Sequence, residues 1–160
     1  MGEEKAYTEV EAQRFFAIQF NGQTWNLLDN PERTQEEDEL MVYSAHASCR
    51  HLLEAGTGVN HQRGEWMISR VYSVLGFGEA ALRHAKRCLE LTEEHADLME
   101  DFDQAFAFES VARAHAVARN QEEALRYIEL AQQAGEAIEA DESKKIFGSD
   151  FDGGDWQGLR

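Results

Sequence analysis

His46, His51, His61, His84, His95 and His115 are the residues of this chain best suited to hold a metal ion or move a proton. Two ligands on one helix normally stand three or four residues apart, so that both side chains leave the same face. His46 and His51 are five apart and turn to different faces, no other histidine pair has ligand spacing, and His61 reads as part of the turn after Asn60. A fold would have to gather the histidines with Glu54 or Glu65 to make a site, so no metal and no other cofactor is expected. The segment "GVNHQRGEW" places Asn60, His61, Arg63, Glu65 and Trp66 around a helix start, where free backbone N–H groups favour an anion. Together with His51 it offers one candidate site, His51, His61, Arg63 and Trp66, for a small enzyme or a small-molecule-binding protein. The same residues also read as a helix cap followed by surface, because acid–base roles require a mutual geometry that spacing alone does not supply.

Other catalytic signatures are missing. There is no glycine-rich phosphate loop, no serine nucleophile elbow and no catalytic motif of another kind. "DFDGGD" has acidic spacing faintly like a calcium loop but lacks the later glutamate, and reads as a solvated linker. Cys49 and Cys88 lie inside helical patterns, far from any Cys-x-x-Cys spacing, and read as small packing residues.

The charge balance narrows the partners. Asp and Glu number 31 against 15 Lys and Arg, a net charge of −16, which repels nucleic-acid phosphates and anionic membrane surfaces. "MGEEKAYTEVEAQ" has no apolar core of the signal-peptide kind and no apolar run approaches membrane-spanning length, so a cytoplasmic protein is expected.

The elements that must carry these residues are helices. Alternating strand patterns are absent, good helix formers dominate, and the only proline and most glycines fall where a helix could end. An all-α class follows. A first helix is expected from about Glu4 to Leu28, burying Phe15, Ile18, Trp25 and Leu28. A second, opened by a Thr34–Glu37 capping box, should run to about Ala55, bury Met41, Ala45, Ser48 and Leu52, and end on a left-handed Gly56. Four more are expected from about Gln62 to Leu75, Gly78 to His95, Phe102 to Arg119, and Asn120 to beyond Ile138. These pair as three antiparallel hairpins, about 4–56, 62–96 and 101–140, in a single domain over 1–147, with 148–160 as a flexible tail carrying a few apolar anchors.

Two of the hairpins repeat. Arg70, Val74, Glu79, Ala81, Leu82 and Arg83 recur as Arg113, Val117, Glu122, Ala124, Leu125 and Arg126, each 43 residues later. In one copy Ile68, Ser69, Tyr72, Gly76, Ala81, Ala85 and Cys88 fill a helix-turn-helix pattern of large apolar, small, aromatic and turn positions, and in the other Phe108, Val111, Ala112, His115, Ala124, Ile128 and Ala131 fill it. This pattern resembles the tetratricopeptide-repeat family over about residues 62–135. It departs from that family where Arg119 replaces the turn glycine, where Glu65 beside Trp66 stands for a large apolar residue, and in lacking a closing proline.

The resemblance implies three hairpins stacked as a right-handed superhelix, with the first helix of each pair lining a concave face. On that face it puts Arg63, Trp66 and Arg70 beside Phe106, Glu109 and Arg113. The guanidinium fork fits a carboxylate and the aromatic rings give apolar area, so the expectation is a protein-interaction groove for an acidic peptide or a partner helix. The Lys and Asn pattern by which the family holds a peptide's terminal carboxylate is not reproduced. The same arginines could instead pair with the chain's own acids. Exposed ends of so short an array could also be covered by a second copy, giving a homo-oligomer.

Overall fold

The computed structural model describes residues 4–160, and every regular element in them is helical. In order these are α1 (Glu9–Leu28), α2 (Gln35–Ala55), α3 (Gly58–Leu75), α4 (Gly78–Glu94), a 3-10 turn (Ala96–Leu98), α5 (Asp101–Val117), α6 (Gln121–Glu136) and α7 (Asp141–Asp152). Sequential neighbours pack in pairs, α1 on α2, α3 on α4 and α5 on α6, and α3 also lies against α5. This arrangement is compatible with a helical repeat. No helix of the described residues is long and apolar enough to cross a membrane.

Local chemistry sets most boundaries. Thr34 accepts from the Glu37 N–H at 3.2 Å while Glu37 accepts from the Thr34 N–H at 2.8 Å, so each satisfies a donor that the helix start leaves open. Thr8 and Glu11 do the same for α1. Helix α3 begins at Gly58, four residues before the expected start, because Asn60 Oδ1 accepts from the Thr57 N–H at 3.0 Å and anchors an additional turn. Gly56 is extended rather than left-handed (φ −116°, ψ −166°), and its N–H closes α2 by donating to the Leu52 carbonyl.

The two turns that the repeat aligns share one geometry. After α3, Gly76 is left-handed (φ 83°) and the Phe77 N–H reaches back to the Tyr72 carbonyl at 2.9 Å. After α5, Arg119 takes the left-handed position (φ 62°) and the Asn120 N–H reaches the His115 carbonyl at the same 2.9 Å. A side chain there brings its Cβ close to the following carbonyl, at roughly 1 kcal/mol or more. Arg119→Gly is therefore expected to raise stability by about 0.5–1 kcal/mol, read as a higher urea midpoint at an unchanged m-value. An unchanged or lower midpoint would show that the side chain offsets the strain.

Small side chains let the paired helices approach. Ser69, Ala81, Ala112 and Ala124 are all fully buried, and the Ser69 hydroxyl donates to the Ala81 carbonyl at 2.9 Å, tying α3 to α4. Met41, Ala45, Cys49, Met67, Ile68 and Val71 form the core between α2 and α3. Ala81, Ala85, Val111 and Ala114 form the one between α4 and α5.

Both ends of the chain differ from the sequence expectation. Helix α1 buries Ala17 and Thr24, whereas Phe15, Ile18 and Trp25 remain substantially exposed and Leu28 is only half-buried. Its α2-facing stripe is made of small and polar residues: Ser48 Oγ donates to the Ala17 carbonyl and Ser44 Oγ to Gln23 Oε1, both at 2.8 Å. At the other end a seventh helix runs through Asp152, inside the stretch read as a tail. Phe147, Phe151 and Trp156 are buried against Ala105, Ala112, Ala131 and Ile138. Gly135 makes this docking feasible, since a Cβ there would lie 2.3 Å from the Phe147 ring.

Candidate functional site

Arg63, Trp66 and Arg70 descend one side of α3 and Phe106 faces them from α5. With Trp25 of α1 and Ile146 and Asp150 of α7 they line an open groove of about 770 Å³. The walls are mainly apolar. Trp66 packs edge-on against Phe106 at 5.5 Å between centroids, Trp25 leans on Trp66 at 5.9 Å, and Phe147 meets Phe106 edge-on at 5.0 Å. Lys145 stands exposed at the rim.

Glu109 and Arg113 lie beneath this lining. Glu109 is completely buried and serves as a shared acceptor. Arg70 Nη1 donates to it at 3.0 Å, Trp66 Nε1 at 3.3 Å, and Arg113 Nε closes the set from one turn along α5. Burying a carboxylate is costly unless it is paired and hydrogen-bonded, and here two guanidiniums and an indole do both. The α7 segment completes the network. Arg70 Nη2 donates to Asp150 Oδ1 at 2.9 Å, and Arg113 Nη2 donates to the carbonyls of Asp150 (2.7 Å) and Gly153 (3.0 Å). Arg113 also lies over the Trp156 ring at 4.1 Å.

The third arginine is engaged as well. Arg63 makes a two-pronged contact with Asp103 at 2.8 and 2.9 Å, and Asp103 in turn caps α5 by accepting from the Glu100 N–H. The six groove residues expected from sequence thus converge on one face, and the acids their arginines hold belong to this chain. Phe102, Asp103, Asp150 and Trp156, which sequence reasoning left out, supply the rest.

The histidine candidates divide. His51 Nδ1 meets Gln13 Oε1 at 2.5 Å and its ring stacks on Phe16 and Phe20, so it faces α1. His61 lies in the first turn of α3 rather than in the preceding turn and points away from the groove, towards Glu65, 3.4 Å from Nε2. His51, His61, Arg63 and Trp66 are therefore not brought into one site.

A different cluster forms between α2, α3 and α4. Cys49 Sγ, a ring nitrogen of His61 and a Glu65 oxygen lie within 4.8 Å of one another. His84 Nδ1 contacts the other Glu65 oxygen at 2.6 Å, and His46 Nε2 contacts the Tyr72 hydroxyl at 2.9 Å, with the His46 and His84 rings 5.3 Å apart. Glu65 is one of the two acids that the sequence offers as company for the histidines. The His61–Glu65 spacing of four was the available signal.

Cys, His and Glu together could serve nucleophilic catalysis, but Cys49 is in the wrong state for it. Burial and the nearby Glu65 charge push its thiol up to about 12, and a protonated, 5% exposed sulfur is a poor nucleophile. Although burial alone would raise Glu65, its contacts with His84 and His61 hold it below the ordinary carboxylate range.

Two histidines give the fold a pH dependence of definite sign. His46 is held below its ordinary 6.5 by burial and then by His84, and His115 is held low chiefly by burial. The unfolded chain then takes up these protons before the folded one does. Their contribution is complete above about pH 6.5 and is lost as pH falls through the lower folded values. Acidification from about pH 7.5 to about pH 5.5 is expected to lower Tm. A His46→Gln, His115→Gln variant should lose less over the same interval, and an equal loss in both proteins would remove these two groups as the cause.

Compared with protein-family models, with curated proteins and with solved structures, the chain matches none.

Proposed function

We propose that this chain is a tetratricopeptide-repeat-like interaction module whose groove receives an acidic, amphipathic partner segment. The observation that carries the reading is α7. The groove's own arginines already hold one such segment, in which Phe147 and Phe151 supply the apolar face and Asp150 the carboxylate. Tethering makes that contact intramolecular, so α7 competes at a high effective concentration with any segment added in trans. The unfilled half of the groove, floored by Trp66 and Phe106 with Lys145 at its rim, offers a partner the same combination of ring surface and positive charge.

A labelled peptide copying residues 141–156 tests this. Phe147→Ala removes a buried anchor of α7 and loosens that helix without touching the arginines or the space over Gly135 that receives the ring. Full-length Phe147→Ala protein is expected to bind the peptide at least tenfold more tightly than wild type, by fluorescence anisotropy. Adding Arg70→Ala should weaken that binding by about 10–100-fold, the range for losing a charge-assisted pair. Failure of a folded Phe147→Ala protein to bind the peptide would overturn the reading.

A further inference from the structure

We propose that Cys49, His61 and Glu65 form a binding site for a zinc-like divalent transition-metal ion, held between α2 and α3 and distinct from the groove. The three donor atoms already lie within 4.8 Å of one another, close to the separations that ligands around a tetrahedral ion adopt. Their placement follows from the helices. His61 and Glu65 are one turn apart on α3, so both side chains leave the same face, and Cys49 approaches that face from α2. Gly64 admits the sulfur, since a Cβ at that position would stand 2.7 Å from Cys49 Sγ.

The donor set selects the ion. One thiol, one imidazole and one carboxylate suit zinc or cobalt, whereas magnesium and calcium take oxygen ligands almost exclusively. Around these donors His84 holds the second Glu65 oxygen at 2.6 Å, the kind of outer contact that fixes a ligating carboxylate. Three protein ligands leave the fourth position to solvent, and His61, whose side chain is 25% exposed, gives access to it. Binding would release the Cys49 proton, since the thiolate is the metal-binding form.

Cobalt(II) provides a direct test on the full-length protein, freed of metal by a chelator. Wild type is expected to develop strong visible absorption of a four-coordinate ion together with a near-ultraviolet sulfur-to-cobalt band, both displaced by zinc. Cys49→Ser should abolish the sulfur band, whereas Cys88→Ser, at a fully buried sulfur outside the donor cluster, should leave it. His61→Ala, at a partly exposed position that should leave the fold intact, is expected to weaken zinc binding at least tenfold in a competition titration. Only the weak spectrum of hydrated cobalt in wild type, or a sulfur band that survives Cys49→Ser, would overturn the assignment. So would unchanged zinc affinity in folded His61→Ala.

Discussion

Replacing Arg113 by methionine is expected to lower the free energy of unfolding by about 3–5 kcal/mol, the usual cost of removing one partner from a buried charge pair. Methionine keeps much of the apolar stem, so the loss isolates the guanidinium. Glu109, with no exposure to water, would retain only Arg70 and Trp66 as donors. The carbonyls of Asp150 and Gly153 would lose their shared donor and Trp156 the cation over its ring. Urea denaturation monitored by circular dichroism measures the effect. The double variant Arg113→Met, Glu109→Leu should recover part of it, because removing both charges abolishes the uncompensated carboxylate. A loss below about 1 kcal/mol in the single variant would mean that Arg70 alone satisfies Glu109.

The parts of this architecture that sequence made legible are those with strong local signals. The Thr34–Glu37 cap and the equivalence of Gly76 with Arg119 could be read because cap and turn chemistry act over a few residues. The groove residues were legible as a face because the 43-residue spacing aligns α3 with α5. Their pairing was not. Asp150 lies 80 residues beyond Arg70, and nothing local ties the two.

The same distinction explains α1. Phe15, Ile18 and Trp25 fit a helical stripe, but which stripe is buried depends on the partner surface, and α2 offers Ser44 and Ser48 hydroxyls that seek polar groups. The Cys49–His61–Glu65 cluster was hidden by a boundary error. Starting α3 at Gln62 leaves His61 in a turn, whereas a start at Gly58 makes His61 and Glu65 neighbours on one face.

Phe151→Ala is expected to release α7 from the groove. The ring is 4% exposed, stacks on Phe147 at 5.3 Å and meets Trp156 edge-on at 5.5 Å, and truncating such a side chain costs about 3–5 kcal/mol. Helix α7 is held by tertiary contacts of this kind, the Phe147 ring and the Arg70 and Arg113 bonds among them. Twelve residues with a glycine at position 148 are too few to sustain a helix in water without tertiary packing. That is also why the sequence there reads as a tail. The loss should therefore be local before it is global, as amide-exchange protection collapsing over residues 141–156 while α3 and α5 keep most of theirs. If protection instead fell uniformly, α7 would belong to the cooperative core and could not yield its place to a partner. If it fell only in α7, the same substitution would expose Arg70 and Arg113, and the peptide that Phe147→Ala protein captures should bind this variant too.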